Sequence, residues 1–157
     1  MRLREWNPAT APGAELGAWL DLYNEVLVHD LPNDPRWKDD RLREYLVETM
    51  PDERRTCWLA EDDDGTVLGY GGLLVLSDLG VLELYVRPSV RRSGVGRALL
   101  KVVADRAVTE HFDSLGVEVV GGTPAADFFT SYGFSHVFTE MRSILSLSTV
   151  DLSLIHI

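Results

Sequence analysis

The chain has one cysteine, few basic residues and no long apolar run, and each scarcity excludes a class of protein. A single cysteine, Cys57, excludes an internal disulfide and reads as a core thiol. No apolar run is long enough to cross a bilayer, and the charged start Met1-Arg2-Leu3-Arg4 is unlike a signal peptide, so we expect a cytoplasmic protein that has no membrane partner. The histidines lack metal-ligand spacing, so we expect no metal: His29, His111, His136 and His156.

Basic residues number 15 against 25 acidic residues, a formal net charge of -10, and they are unevenly distributed. Between residues 87 and 106 only Asp105 opposes a group of basic side chains: Arg87, Arg91, Arg92, Arg97, Lys101 and Arg106. A nucleic-acid backbone requires an extended basic surface, so this distribution excludes nucleic acid and suits one compact polyanion.

The basic group surrounds a strand-turn-helix pattern that favours phosphate binding. An apolar strand, Val81–Val86, precedes the turn R-x-x-G-x-G from Arg91 to Gly96, and a helix follows. A helix start carries unpaired N–H groups and the positive end of the helix dipole, and glycines there remove the Cβ atoms that would keep an oxyanion away.

Two other phosphate loops lack their defining residues in this segment. A dinucleotide-binding G-x-G-x-x-G needs a third glycine where this chain has Leu99, and a P-loop needs Gly-Lys-Ser/Thr. The remaining alternative is a turn that uses glycine for geometry and arginine for solubility.

Hydrophobic periodicity predicts an α/β chain without internal repeats. The predicted helices are Pro12–Val28, Asp39–Met50, Gly94 to about Phe112, and Pro124–Ser131. The predicted strands are residues 1–6, Arg55–Glu61, Thr66–Leu76, Val81–Val86, Val117–Val120, Phe134–Phe138 and Met141–Leu145.

The R-x-x-G-x-G turn after an apolar strand resembles the acyl-coenzyme A pyrophosphate loop of the GNAT N-acetyltransferase superfamily. The element order β-α-α-β-β-β-α-β-α-β-β is similar to the GNAT fold. The resemblance implies an α/β fold with a mixed, mostly antiparallel central sheet of about seven strands and four helices. It also implies that two parallel strands, Val81–Val86 and Val117–Val120, splay apart at the cofactor site. The cofactor that it implies is acetyl-CoA, as acyl donor.

The resemblance assigns cofactor contacts residue by residue. Backbone groups of Leu84, Tyr85 and Val86 are expected to meet the pantetheine amides and the thioester carbonyl. The loop expected to bind the pyrophosphate comprises Arg91, Arg92, Ser93, Gly94, Val95, Gly96 and Arg97. Core packing of the apolar members is compatible with this role, because the family uses their backbone atoms.

Acetyl transfer to an amine needs a proton acceptor and an N–H donor for the oxyanion. Glu83 and Glu118 are the candidate bases, and each is also compatible with a salt-bridged or solvated strand residue. The family's usual acid tyrosine is replaced by Phe129 and its usual asparagine by Gly122. Tyr132 is therefore the candidate acid, with packing at the helix end as the alternative.

The expected function is that of an acyl-CoA-dependent N-acetyltransferase, which moves an acetyl group from acetyl-CoA to a primary amine of a small molecule. The alternative is a non-catalytic acyl-CoA-binding sensor, or the structural half of a tandem GNAT protein.

The end of the chain carries two further resemblances. We expect a GNAT domain over residues 1–147 and a tail over 148–157, non-native from about residue 152, because Leu152–Ile157 matches one translated frame of a transposon end sequence. The stretch Thr139–Asp151 resembles the end of the first domain in actinobacterial tandem GNAT proteins. That resemblance implies the truncated N-terminal domain of a tandem protein, so we expect a second GNAT domain as partner. A second copy of the chain, in a homodimer, is the other expected protein partner.

Overall fold

A computed structural model describes residues 1–47, 53–141 and 143 of the chain. The described elements are β1 (Arg2–Trp6), α1 (Gly13–Asp30), α2 (Asp39–Val47), β2 (Glu53–Glu61), β3 (Val67–Leu76), β4 (Leu79–Val86), α3 (Val95–Thr109), β5 (Leu115–Gly116) and α4 (Pro124–Ser131), with a 3-10 turn at Pro88–Val90. These elements fall into two compact units: the first is Met1–Glu118, and the second begins at Val119.

The first unit is built on one mixed sheet in the order β1-β2-β3-β4-β5. Its first four strands are antiparallel neighbours, and β5 pairs with β4 in parallel. The β2–β3 hairpin turns at Asp64-Gly65. Gly65 has a φ of 84°, and the Asp62 carboxylate accepts the backbone N–H groups of Asp64 and Thr66. The predicted α/β fold with a mostly antiparallel sheet and a parallel pair is confirmed.

Helices α1 and α2 cover one face of this sheet. Their apolar side chains pack with residues of β2 and β3. In β2 these are Cys57 and Leu59, which point to the same face because the strand repeat is two. The buried residues of this core are Trp6, Trp19, Leu20, Leu22, Leu42, Leu46, Cys57, Leu59, Val67 and Tyr70.

Helix α3 covers the other face, and glycines in β3 let it approach closely. A Cβ at Gly69 would lie 2.9 Å from Leu99 Cδ1, and a Cβ at Gly71 would lie 3.2 Å from Val103 Cγ2. The two glycines therefore make room for the buried stripe of α3.

The second unit contains α4, which has the predicted bounds. The Thr123 side chain accepts the N–H of Ala126 and caps the helix, and Pro124 occupies the first turn. The Phe129 ring is buried and lies 5.2 Å, centroid to centroid, from the Phe134 ring.

The described residues contain five strands rather than seven. Val117–Val120 is wrong as a strand, because pairing with β4 ends at Gly116 and Val119 and Val120 are exposed. Phe134–Phe138 is also wrong, since its apolar side chains Val137 and Phe138 are exposed and no strand pairs with them among the described residues. Most of the predicted strand Met141–Leu145, like the end of the predicted helix at Met50 and the tail from residue 148, lies outside the described residues.

No helix in the described part of the chain is both long and apolar enough to span a bilayer.

Candidate functional site

The N-terminus of α3 presents backbone N–H groups where the sequence predicts phosphate binding. Gly94 is the N-cap residue with a φ of 95°, a conformation that favours glycine, and no side chain caps the helix. The first N–H groups of an α-helix have no partner within the helix. This first turn holds no acidic residue, so its positive dipole end faces no negative charge from its own turn.

Most of the basic residues near this turn are neutralised within the chain. Ion pairs join Arg87 to Glu25, Arg91 to Asp30, Lys101 to Asp105 and Arg106 to Glu5. Arg92 and Arg97 are exposed and have no carboxylate partner among the described residues. The positive charge that remains available at the α3 N-terminus therefore belongs to Arg92 and Arg97.

Arg91 anchors the loop instead of extending from it. Its Nη1 and Nη2 atoms both donate to the Asp30 carboxylate at 2.7 Å, and its Nε donates to the Val86 carbonyl at 3.1 Å. Burial acts to raise the pKa of Asp30, but the hydrogen bonds from Arg91 and His29 outweigh it and lower that pKa. The loop is thus tied both to the end of α1 and to the end of β4.

The rest of the loop is shaped locally. Ser93 Oγ donates to the Val90 carbonyl at 2.6 Å, and Arg92 has a φ of 65°. Val95 is buried, and Gly96 lies in the first turn of α3. The predicted loop residues therefore gather at one helix start, with Val95 as their anchor in the core.

The backbone of β4 leaves an edge open beside this loop. The Arg87 N–H donates to the Leu68 carbonyl, so backbone groups of odd-numbered residues in β4 face β3 and those of Leu84 and Val86 face away from it. Pairing with β5 ends at Val81, so no described strand pairs with β4 at these positions. The Val86 carbonyl accepts from Arg91 Nε, so the groups that this edge leaves for an extended, amide-bearing arm are those of Leu84 and the Val86 N–H.

Tyr85 is placed differently from its two neighbours. Its backbone groups face Tyr70 in β3, and its ring stacks on the Tyr70 ring at 5.7 Å and meets the Tyr23 ring at 5.2 Å. Its backbone is therefore used by the sheet, and its side chain joins the aromatic core beneath α1.

Glu83 lies in a buried polar cluster, which we call the Glu83 cluster: Tyr45, Arg55, Tyr70 and Glu83. Tyr45 donates to Glu83 Oε1 at 2.6 Å, while Arg55 Nη1 at 2.6 Å and Tyr70 at 3.0 Å donate to Glu83 Oε2. The Glu83 residue is 8% exposed. Of the two interpretations of Glu83, the structure shows the salt-bridged strand residue, since Arg55 pairs with its carboxylate. The role of Glu83 as a base stays a prediction.

Glycine in β3 makes this cluster possible. A Cβ at Gly72 would lie 2.6 Å from the Tyr70 hydroxyl and 2.8 Å from Glu83 Oε2. Burial acts to lower the pKa of Arg55, but the charge of Glu83 raises it. Arg55 is therefore charged at neutral pH. Sequence reasoning missed Tyr45 and Arg55, because they come from separate elements and carry no motif.

The other predicted catalytic residues lie elsewhere. Glu118 is exposed and outside any strand. Tyr132 follows α4, is 46% exposed and contacts the Phe128 ring at 4.9 Å. The described residues hold no cluster of three His, Cys, Asp or Glu side chains arranged to hold a metal ion.

The model of the acetyltransferase (GNAT) family matches residues 16–134, more than half of the chain, and the chain therefore belongs to that family. This match begins within α1, ends after α4 and includes the whole loop from Arg91 to Arg97. No curated protein matches the chain significantly.

Solved structures of N-acetyltransferases share this fold. A GCN5-related N-acetyltransferase from Kribbella flavida is 27% identical, with a TM-score of 0.67 over 88% of this chain and 85% of that one. The ribosomal-protein-S18-alanine N-acetyltransferase from Escherichia coli is 18% identical, with a TM-score of 0.63 over 87% and 80%. A tandem GNAT protein from the clavulanic acid biosynthesis pathway is 23% identical, with a TM-score of 0.69 over 84% of this chain and 43% of that one.

Proposed function

We propose that the chain transfers an acetyl group from acetyl-CoA to a primary amine of a small molecule. The observation that supports this most directly is the arrangement at α3: an uncapped helix start at Gly94, flanked by two exposed arginines without carboxylate partners, beside the open edge of β4. These residues fit acetyl-CoA, because a pyrophosphate needs N–H donors and positive charge and a pantetheine arm needs a free strand edge.

Each part of this arrangement has a role in the proposed reaction. The N–H groups of Val95, Gly96 and Arg97 bind the pyrophosphate, and Arg92 and Arg97 offset its charge. The backbone of Leu84 and Val86 holds the pantetheine arm, and an N–H on this edge stabilises the oxyanion that forms on the thioester carbonyl. Acetyl-CoA supplies the activated acyl group.

The departing thiolate needs little help from the protein. A thiol of pKa about 8.5 is a good leaving group and can leave as the thiolate. Tyr132 remains the candidate acid, and its loss is expected to slow transfer less than tenfold. Tyr132→Phe removes only the hydroxyl, so a hundredfold fall in transfer at unchanged acetyl-CoA affinity would instead establish Tyr132 as the acid.

A second candidate function is acyl-CoA binding without turnover. Phe129 in the usual place of the acid tyrosine supports it, because phenylalanine has no proton to give. The ring is buried against Phe134 and serves packing.

A free-thiol release assay separates the two functions. The purified chain is mixed with acetyl-CoA and a panel of primary amines, and binding of acetyl-CoA is measured in parallel by calorimetry. Thiol release that depends on the amine supports the transferase. Tight acetyl-CoA binding without release for any amine supports the sensor, and no binding at all rejects both.

A further inference from the structure

The Glu83 carboxylate is enclosed by protein donors, which limits how a ligand can reach it. Three side chains donate to its two oxygens, and Arg55, one of them, has a side chain only 3% exposed. Of the three donors, Tyr70 is fully buried and Tyr45 is 41% exposed. A ligand that approaches the Glu83 cluster from solvent therefore meets Tyr45 first.

The Tyr45 hydroxyl can accept a hydrogen bond from a ligand. A phenol has one proton and two lone pairs: the proton is given to Glu83 Oε1 at 2.6 Å, and Arg55 hydrogen-bonds to one lone pair, which leaves the other for a ligand. Donation to a carboxylate makes Oη a stronger acceptor for a second hydrogen bond. Burial and the charge of Glu83 raise the pKa of Tyr45 to about 12, so the hydroxyl keeps its proton at neutral pH.

The Tyr45 ring is held in place on two sides. The Arg55 guanidinium carbon lies 4.5 Å from the ring centroid, and the Trp37 ring meets it edge-on at 6.2 Å. Glu83, which the hydroxyl contacts, precedes Leu84 in β4, and the backbone of Leu84 faces the open strand edge. The hydroxyl is thus fixed next to the strand segment that is proposed to hold the acyl donor.

We propose that Tyr45 is the catalytic residue that contacts the acceptor nitrogen, and that Glu83 is a positioning residue that acts through it. This inference rests on the proposed function. As the nitrogen bonds to the acyl carbon, its N–H bond breaks and the proton moves to Tyr45 Oη, while the original Tyr45 proton moves to Glu83 Oε1. The C–S bond then breaks, the thiolate leaves with the bonding pair, and Glu83 returns its proton by the same route to solvent.

The test compares Tyr45→Phe, Glu83→Gln and the double variant with the wild-type chain in the thiol release assay. Tyr45→Phe keeps the ring on Arg55 and removes only the relaying oxygen. We expect kcat to fall about 100-fold in each single variant, with the KM for acetyl-CoA unchanged. The double variant should be no slower than the slower single variant, because both changes interrupt one path. Thr109→Val, which removes a hydroxyl from the exposed end of α3, is the matched control and should keep the wild-type rate.

The solvent deuterium isotope effect on kcat distinguishes a relay from a structural role. The wild-type chain should show a clear effect that both single variants lose. Tyr45→Phe keeps the buried ion pair between Glu83 and Arg55, so it tests the same path without relying on the folding of Glu83→Gln. Retention of the wild-type rate or isotope effect in a folded variant overturns the assignment of Tyr45 but leaves the transferase intact. Absence of turnover in the wild-type chain overturns the proposed function and this inference with it.

Discussion

Two carboxylates are buried among the described residues, and arginines accompany both. Glu83 is paired with Arg55, and Glu61 accepts hydrogen bonds from Arg2 at 2.7 Å and Arg4 at 3.0 Å. A buried carboxylate that loses its cation is strongly destabilising, although the intact pair adds little by itself. These pairs are therefore vulnerable positions where a single substitution has a large effect.

Glu61→Gln is expected to lower the stability of the chain by about 1–2 kcal/mol at pH 7, since it removes charged acceptors from two arginines. The hydrogen bond from Arg4 is the largest cause that lowers the pKa of Glu61 in the folded chain. The pairs therefore add stability above the pKa of an unfolded glutamate, about 4.3, and lose it as the pH falls through the lower folded pKa. Thermal midpoints of both proteins at pH 7 and at pH 3 measure this: the difference should shrink in acid. Asp63→Asn, at a fully exposed side chain, is the control and should change neither midpoint.

The Cys57 thiol is expected to be inert in the folded chain. Burial raises the pKa of this thiol to about 11, and its sulfur lies 3.3 Å from the Tyr70 hydroxyl. Because that hydroxyl donates its proton to Glu83, the thiol donates to the hydroxyl. A thiol-specific reagent at pH 8 should label no cysteine in the native chain and one in denaturant. Rapid labelling of the native chain would contradict the buried placement.

Contact between α3 and β3 depends on glycine more than on side-chain fit. A Cβ at Gly69 would meet both a leucine methyl and the Tyr85 carbonyl at 2.9 Å, and a backbone carbonyl cannot move aside easily. The position of α3 sets that of its N-terminus, where the cofactor loop lies. A substitution at Gly69 is thus expected to displace the N-terminus of α3 and the cofactor loop, although Gly69 itself lies outside that loop.

Gly69→Ala is expected to destabilise the chain by about 1–3 kcal/mol through overpacking. Gly17→Ala is the matched control, because Gly17 lies inside α1 with open space where a Cβ would lie, and alanine favours the helix by up to about 1 kcal/mol. Denaturant unfolding of the two variants measures both effects. A stabilised Gly69→Ala chain would refute the close approach of α3.

Local signals predicted the elements well wherever periodicity and turn chemistry agreed. Helix α4 has the predicted bounds, and Thr123 and Pro124 mark its start. The failures are segments whose strand character depends on a distant partner. Val117–Val120 is apolar enough for a strand, but it pairs with no strand among the described residues. The residue pattern within one segment does not show whether a neighbouring strand is present to pair with it.

The candidate site divides in the same way. The loop from Arg91 to Arg97 is contiguous in sequence, so its motif was visible. The Glu83 cluster joins α2, β2, β3 and β4: the sheet register brings Arg55, Tyr70 and Glu83 together, and the packing of α2 adds Tyr45. The charge count also overstated the basic group, since intramolecular ion pairs take up Arg87, Arg91 and others.

Acidic residues outnumber basic ones in the molecule as a whole, so few of the described basic side chains are left without a carboxylate partner. At the N-terminus of α3 we assign the unpaired positive charge to Arg92 and Arg97. Arg92→Gln and Arg97→Gln should each weaken acetyl-CoA binding about tenfold, or about 1.4 kcal/mol, and more so at low salt. Lys101→Gln, in which the lost charge is already paired with Asp105, should bind as the wild-type chain does. Calorimetry at two salt concentrations tests this. Equal loss in all three variants would mean that only the net charge matters.

Acetyl-CoA binding by the wild-type chain, Gly94→Glu and Gly65→Glu is the most direct test that the α3 N-terminus is the acyl-CoA site. Both glycines have positive φ, 95° and 84°, so glutamate strains both backbones alike, but only Gly94 precedes α3. At a hundredfold excess of acetyl-CoA over its Kd, we expect the wild-type chain and Gly65→Glu to gain about 2.7 kcal/mol of stability and Gly94→Glu to gain none. An equal gain in all three proteins would place the binding site elsewhere.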